Sequence, residues 1–427
     1  MQNPPQPRCS ARSSPRLDTT FGTQGTVKCN AMLLGNGVSA SSIYAVALRQ
    51  DRSLVLASSY ADKALLIALN EDGSLDRTFN AQGYVSEDLD DVRPNEGIDV
   101  QLMPDGRLLL TTWLEGQDGY IPGFVMYHHN GQRDRTFGNN GVTIVELDSS
   151  RNARTRRSIM ARSSKARNGT HSTPPIMTPE GQLLIPFVMD NFYGEPARTV
   201  LIRLKENGQL DTQFHDKGYI EITYENGPCR LDAIISLPAR DLAQRLVLAG
   251  QYSGGALLAG VTLEGEADPA FGNQGFTALP GERAFLALDQ TPDEELLASG
   301  YTQTPQQALA GWIVRFTSNG HLDQSFEPVT TPADSRNIRF ERVQSNDDQQ
   351  ILCAGQIISP GPRFHGVLAR YLHNGQPDDS FGKNGLFEEL EGSFWDIIRT
   401  DNQLLAVGGQ TDNSAGSVRR YHLTPET

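Results

Sequence analysis

The chain has 427 residues, 38% of them hydrophobic and 21% charged, with 41 glycines and 24 prolines. This is globular composition, and no stretch approaches the ~18 consecutive apolar residues that a membrane-spanning helix needs. The formal charge of -14 makes the body of the protein repel phosphate backbones and argues against nucleic-acid binding by it.

The N-terminus, MQNPPQPRCSARSSPR, has Pro, Ser and Arg but no apolar core of the kind a secretory signal requires. Residues 1–12 are expected to form a disordered tail. Cytoplasm is the default location, with export by a route lacking a cleaved signal left open. The cysteines Cys9, Cys29, Cys229 and Cys353 form no Cys-x-x-Cys pair. Their sparse spacing fits a reducing compartment, and the last three read as small apolar fillers.

One pattern recurs seven times along the chain: LDTTFGTQG, LDRTFNAQG, RDRTFGNNG, LDTQFHDKG, ADPAFGNQG, LDQSFEPVT and PDDSFGKNG. Its frame is Asp-x-x-Phe-Gly-x-x-Gly. The pairs are Asp18 and Phe21, Asp76 and Phe79, Asp134 and Phe137, Asp211 and Phe214, Asp268 and Phe271, Asp323 and Phe326, and Asp378 and Phe381. Successive phenylalanines lie 58, 58, 77, 57, 55 and 55 residues apart, a regularity that marks a repeat architecture.

Within each period the elements follow in a fixed order. An alternating segment comes first, as in IYAVALRQD and FERVQSNDD. A turn then leads into an apolar run such as RSLVLASSY, QRLVLAGQY or NQLLAVGGQ. These runs are too short for helices and apolar on both faces, so they predict strands buried on both sides. Gly250, Gly300, Gly355 and Gly408 follow them, where neighbouring backbones are expected to approach closely. A third strand ends in Asp-Gly, Asn-Gly or Glu-Gly, which predicts a type I′ hairpin, and a fourth strand is expected to carry the Asp-x-x-Phe motif. The result is an all-β, seven-bladed β-propeller of four-stranded antiparallel blades, a single domain over 13–427. The first motif, at Asp18, lacks its preceding strand, and SVRRYHLTPET near the C-terminus matches it. Pairing of the N- and C-terminal strands is therefore expected to close the ring.

The motif residues have structural readings. An Asp three residues before an aromatic accepts backbone N–H bonds in an Asx-type turn, the Phe anchors that turn in the core, and the glycines supply positive φ. Seven copies around a ring do not converge on one site, so calcium binding at them is not expected. Arg203, Arg315 and Arg370 precede the turn by equal spacing, with Arg420 as the counterpart in the split blade and Ala68 or Met126 in the first two hairpins. Across the turn they are predicted to pair with Asp211, Asp323 and Asp378. With these residues assigned, the recurrent Leu-Asp-x-x-Phe-Gly-x-x-Gly over 17–427 resembles the bacterial delta-60 repeat family. The resemblance implies a β-propeller-type domain and no catalytic residues. It is weakest at LDQSFEPVT, where both glycines are replaced.

Chemistry-bearing patterns are few. The eight histidines show no metal-ligand spacing, and neither a nucleophile elbow nor a phosphate-binding loop is present. Neither a metal nor a cofactor is expected. Glu87, Asp88, Asp90 and Asp91 cluster, as do Glu388, Glu389 and Glu391. These read as solvated faces, or as paired acids for glycan chemistry if they meet at a channel mouth. The long third interval holds an insertion over 149–171 with Arg151, Arg154, Arg156, Arg157, Arg162, Lys165 and Arg167 and no acid. It is expected to be a surface loop, either resting on the acidic body or docking an acidic protein or other anionic partner. Two function classes follow: a non-catalytic interaction scaffold with that basic loop, or a propeller enzyme (a glycan hydrolase or lyase) with its site at the central channel mouth. A third and weaker reading is an effector or surface-associated protein. Convergence of ionisable side chains at the channel opening discriminates the first two.

Overall fold

The computed structural model describes residues 14–89, 95–116, 119–147, 175–189, 196–237, 244–331, 336–359, 364–400, 402–409 and 415–423. The tail 1–12 and the insertion 149–171 lie outside these. Seven antiparallel sheets form the blades. In blade 1 the chain runs outward from Ile43–Leu48 through Leu54–Tyr60 and Lys63–Leu69 to Tyr84–Glu87. Blades 2, 4, 5 and 6 repeat this order, with inner strands Asn95–Leu102, Arg230–Leu237, Arg283–Gln290 and Asn337–Ser345. Blade 3 begins with the short Ile176–Met177 and ends in a small hairpin, Tyr219–Tyr224 with Gly227–Pro228.

Blade 7 is built from both parts of the chain. Asp396–Arg399, Gln403–Gly409 and Gly416–His422 come from the C-terminal side, and Arg16–Leu17 and Thr26–Lys28 from the N-terminal side. The register pairs Leu17 with Tyr421 and Val27 with Val418. The expected closure is thus observed, and it packs the last blade face to face on the first, with Val407 and Val418 in one cluster with Leu56 and Ile67.

The apolar runs are apolar on both faces because every sheet is sandwiched between two others. In blade 1, Leu54 and Leu56 face blade 7 with Leu65 and Ile67, while Val55 and Ala57 face blade 2 with Ala64 and Leu66. Period-2 alternation therefore assigns residues to one or the other neighbouring blade instead of sorting apolar from polar. Seven such clusters fill the seven interfaces, and each contains one motif phenylalanine: Phe21, Phe79, Phe137, Phe214, Phe271, Phe326 or Phe381.

Two local expectations are corrected. The motif is a turn between the third and fourth strands, joined to the third by a single bridge such as Leu69 to Leu75. Its Asp side chain, by accepting the N–H two residues on, bends the chain where a strand would run on straight. The preceding hairpin is also not type I′. Asn70 N–H donates to Ser74 and Gly73 N–H to Asn70, and of Asp72 and Gly73 only the glycine has positive φ, +83°. This is a type I turn closed by a left-handed glycine. Asp72 is favoured there because its carboxylate accepts Ser74 N–H at 2.9 Å. Gly73 is favoured doubly, since a Cβ would also meet the Phe21 ring of the preceding blade.

Candidate functional site

The molecule has two faces. On one lie the turns between first and second strands and the seven motif turns. Here every motif Asp has an arginine. Arg203, Arg370 and Arg420 hold Asp211, Asp378 and Asp18 through Nε at 2.8, 2.7 and 2.8 Å, and Arg315 holds Asp323 at 2.6 Å. The expected pairs are present. Sequence reasoning missed the other three arginines, which come from the turn between first and second strands. Arg107 reaches Asp134 at 2.9 Å, Arg245 reaches Asp268, and Arg49 lies 3.6 Å from Asp76. Six of the seven guanidiniums also lie over the motif phenylalanine at 4.4 to 5.6 Å. Most go on to the turn of the next blade: Arg49 donates to the His129 carbonyl, Arg315 to that of His373 and Arg420 to that of Glu71. This face is a belt of clamps joining blade to blade. Burial works to raise the carboxyl of Asp134, but hydrogen bonds from Thr136 and Arg107 outweigh it and lower it to about 2.

The central channel holds a cavity of about 380 Å³ lined by inner strands of six blades. Its walls are mostly Val, Ala, Leu and Ile, with Asp99, Asp289, Arg342 and Asp396 among them. Two of these acids are committed between blades. Asp396 accepts Arg342 Nε of blade 6 at 2.8 Å and Val46 N–H of blade 1 at 3.0 Å. Asp289 accepts the N–H and hydroxyl of Ser345 from blade 6, and burial nevertheless pushes its carboxyl up.

The opposite face, where the inner strands begin, carries the polar convergence. In three successive blades the register places Arg230 opposite Gln251, Ala284 opposite Tyr301 and Arg339 opposite Gln356. A β-bulge follows in each inner strand. The carbonyl before each bulge sits on Gly250, Gly300 or Gly355, where no Cβ fits, so the expected close approach is present. The residue after each glycine is thereby fixed at the channel rim. Arg230 Nε bonds Asp232 at 2.9 Å. Gln356 Nε2 bonds the fully buried Glu341 at 2.7 Å. Arg339 lies 3.5 Å from Glu341, an ion-pair distance without hydrogen-bond geometry, and stands over the Tyr301 ring at 5.1 Å. Arg283 stands over Trp312 at 5.0 Å. Burial raises the Tyr301 phenol; Asp232 and Glu341 add to this, while Arg339 and Arg230 oppose it. The signal for this cluster was in the sequence: RLD at 230–232 and RFE at 339–341 put an arginine and an acid at matching positions of two inner strands.

The remaining candidates stay apart. The basic residues Arg151 through Arg167 lie outside the described residues, as do Asp90 and Asp91. Asp88 pairs with Lys63 at 2.7 Å. Glu388 binds Arg336 and His365 on an outer strand, and Glu389 accepts the Tyr421 hydroxyl, so these acids do not meet at the channel mouth. Cys29, Cys229 and Cys353 are buried, and burial pushes the first two thiols up to about 12. Among the described residues no group of three His, Cys, Asp or Glu is placed to hold a metal ion, and no helix is long and apolar enough to cross a membrane.

No family model matches the chain, and neither does any curated protein. Among solved structures it is similar to a virginiamycin B lyase from Staphylococcus aureus, with 11% identity over 93% of this chain and 99% of that one and a TM-score of 0.45. It is also similar to an ulvan lyase, a polysaccharide lyase, with 9% identity over 94% and 96% and a TM-score of 0.48. A glucose dehydrogenase matches with 12% identity over 77% and 95% and a TM-score of 0.41. These likenesses concern the fold and carry nothing about chemistry.

Proposed function

We propose that this protein is a non-catalytic binding scaffold built of delta-60-type repeats. The observation that carries the reading is the use made of its acids. All seven motif aspartates have an arginine beside them, in most blades continued to the next blade. Asp289 and Asp396 in the channel likewise bridge blades. Groups spent on holding blades together make a rigid disc, and a rigid disc suits the display of connecting segments. The segment 149–171, with seven basic residues and no acid in a chain of net charge -14, is the arm offered to an acidic protein or other anionic partner.

The test compares the full chain with one lacking 151–167 on polyglutamate-coated beads. Retention at low salt, lost at high salt and lost with the deletion, supports the reading. Equal retention of both chains contradicts it. The deletion is expected to leave the Tm nearly unchanged in a thermal scan; a large drop would show that the segment is packed against the body.

The convergence of Tyr301, Arg339, Glu341, Arg230 and Asp232 favours a second reading, catalysis on a glycan at the channel mouth. The raised phenol of Tyr301 would enter such a reaction as an acid and not as a base. Turnover of an acidic polysaccharide that is abolished by Tyr301→Phe would establish it.

A further inference from the structure

The central channel holds an acid that the protein leaves without a cation. Asp289, on the inner strand of blade 5, is half-buried and lines the cavity of about 380 Å³. Its hydrogen bonds come from the N–H and hydroxyl of Ser345 and from the backbone of Gln290. Among the described residues no lysine, arginine or histidine stands beside it as a counter-ion. Of the described residues in the lining, Arg342 alone is basic, and its Nε is held by Asp396 at 2.8 Å. Gln101 and Gln344, also in the lining, each have a buried side-chain oxygen without a hydrogen-bond partner. The amide nitrogen of Gln344 is turned to the Ile397 carbonyl, at 3.4 Å. What this wall lacks is positive charge and N–H donors. An ionised carboxylate in an apolar site without a partner charge is costly, and burial accordingly pushes the Asp289 carboxyl up.

We propose that the channel binds a small organic ammonium ion, its charged head on Asp289 and its apolar body along the channel wall. This goes beyond the scaffold reading and does not depend on the segment 149–171. Three observations set the class. The uncompensated charge of Asp289 attracts a cation and repels carboxylates and phosphates, and an ammonium also brings the N–H donors that the wall lacks. The wall is otherwise mostly Val, Ala, Leu and Ile from six blades, which covers an apolar body. It offers a bare metal ion too few oxygens, since among the described residues no three of His, Cys, Asp and Glu are grouped to hold one. The cavity is open to solvent, and its volume falls at the low end of the roughly 300–1,000 Å³ of small-molecule pockets. That is room for one ring and a short chain.

The probe is phenethylammonium, with phenethyl alcohol as the neutral control of the same shape and hydrocinnamate as the anionic one. Binding to the full chain is read by titration calorimetry at neutral pH. Saturable binding of the ammonium is expected, with the alcohol weaker by about tenfold or more, the size of one charge-assisted hydrogen bond, and none of hydrocinnamate. The ammonium should also raise the Tm, as a ligand of the folded state does. Asp289→Asn keeps an oxygen for the Ser345 N–H, so it is the variant expected to fold. It should weaken the ammonium about tenfold or more and leave the alcohol unchanged, a split that a merely structural loss would not produce. The three ligands on the unsubstituted chain decide the question without it. Absence of ammonium binding at millimolar concentration, equal binding of the alcohol, tighter binding of hydrocinnamate, or full affinity for the ammonium in a folded Asp289→Asn chain would each overturn the proposal. The chain lacking 151–167 separates this from the scaffold reading: it should bind the ammonium undiminished whether or not it has lost polyglutamate.

Discussion

At the scale of single residues, the clamp arginines show how burial changes the value of an ion pair. Arg370 and Asp378 are 5% and 7% exposed, and Arg370 Nε donates to Asp378 at 2.7 Å. Arg370→Met should destabilise the protein by about 3 kcal/mol in urea unfolding, because it strands a buried carboxylate. Arg52 and Glu71 are equally close, at 2.6 Å, but each side chain is 54% exposed. Arg52→Ala should cost under about 1 kcal/mol. A similar loss in both variants would contradict this account of the belt. The same aspartates set the acid limit. Burial works to raise Asp18, Asp323 and Asp378, but hydrogen bonds from Thr20, Ser325 and Ser380 and the arginines outweigh it, and the carboxyls lie below the ordinary 3.8. A group with a lowered folded pKa stabilises fully above its unfolded value and loses that contribution as pH falls through the folded one. Tm should therefore hold down to about pH 4 and fall toward pH 2, the region set by Asp134 at about 2. Asp289 is raised by burial and acts with the opposite sign. Its protonation on acidification relieves a buried charge, a gain the Asn side chain cannot make, so Asp289→Asn should lower the Tm more at pH 4 than at pH 7.

At the scale of elements, the glycines separate two mechanisms. Gly106 closes a turn at φ +84° with open space around it, so Gly106→Ala should cost only the backbone term, about 1 kcal/mol. Gly300 has ordinary φ, but a Cβ there would run into the Ala284 carbonyl at the bulge. Gly300→Ala should cost more, about 1–3 kcal/mol, and should displace Tyr301. The check is paired denaturation curves of both variants; equal losses would show that the bulge gives way without consequence. The four-strand order, the doubly buried second strands and the close approach at Gly250, Gly300, Gly355 and Gly408 were legible as local patterns. The turn type was not. Asn-Gly and Asp-Gly serve a type I turn with a left-handed glycine as well as a type I′ turn, and the choice here was made with the neighbouring blade's phenylalanine packed against that glycine.

At the scale of the whole molecule, the ring is closed by hydrogen bonds between segments about 400 residues apart, as in Arg420 to Asp18, separated by 402 positions. A chain ending at Gln410 lacks the strand Gly416–His422 that carries Arg420, Val418 and Tyr421. It should expose the flanks of blades 1 and 6 and run as oligomers in size-exclusion chromatography. A folded monomer would show that closure is dispensable.

The number of blades, the outward strand order and the split blade were determined by the sequence alone. Each is written in contacts repeated within one period or carried by a matching segment at the other end, and a repeat makes one reading serve seven times. The pairs at Arg203, Arg315 and Arg370 were legible for the same reason, since only eight positions separate each from its aspartate. Arg107 and Arg245 lie 27 and 23 positions from theirs, across strands whose register only folding fixes. The rim of Arg230, Tyr301 and Arg339 was decided by the tertiary structure for a stronger form of that reason. Its members come from three blades, and what brings them together is the curvature of the ring, a property that no single repeat contains.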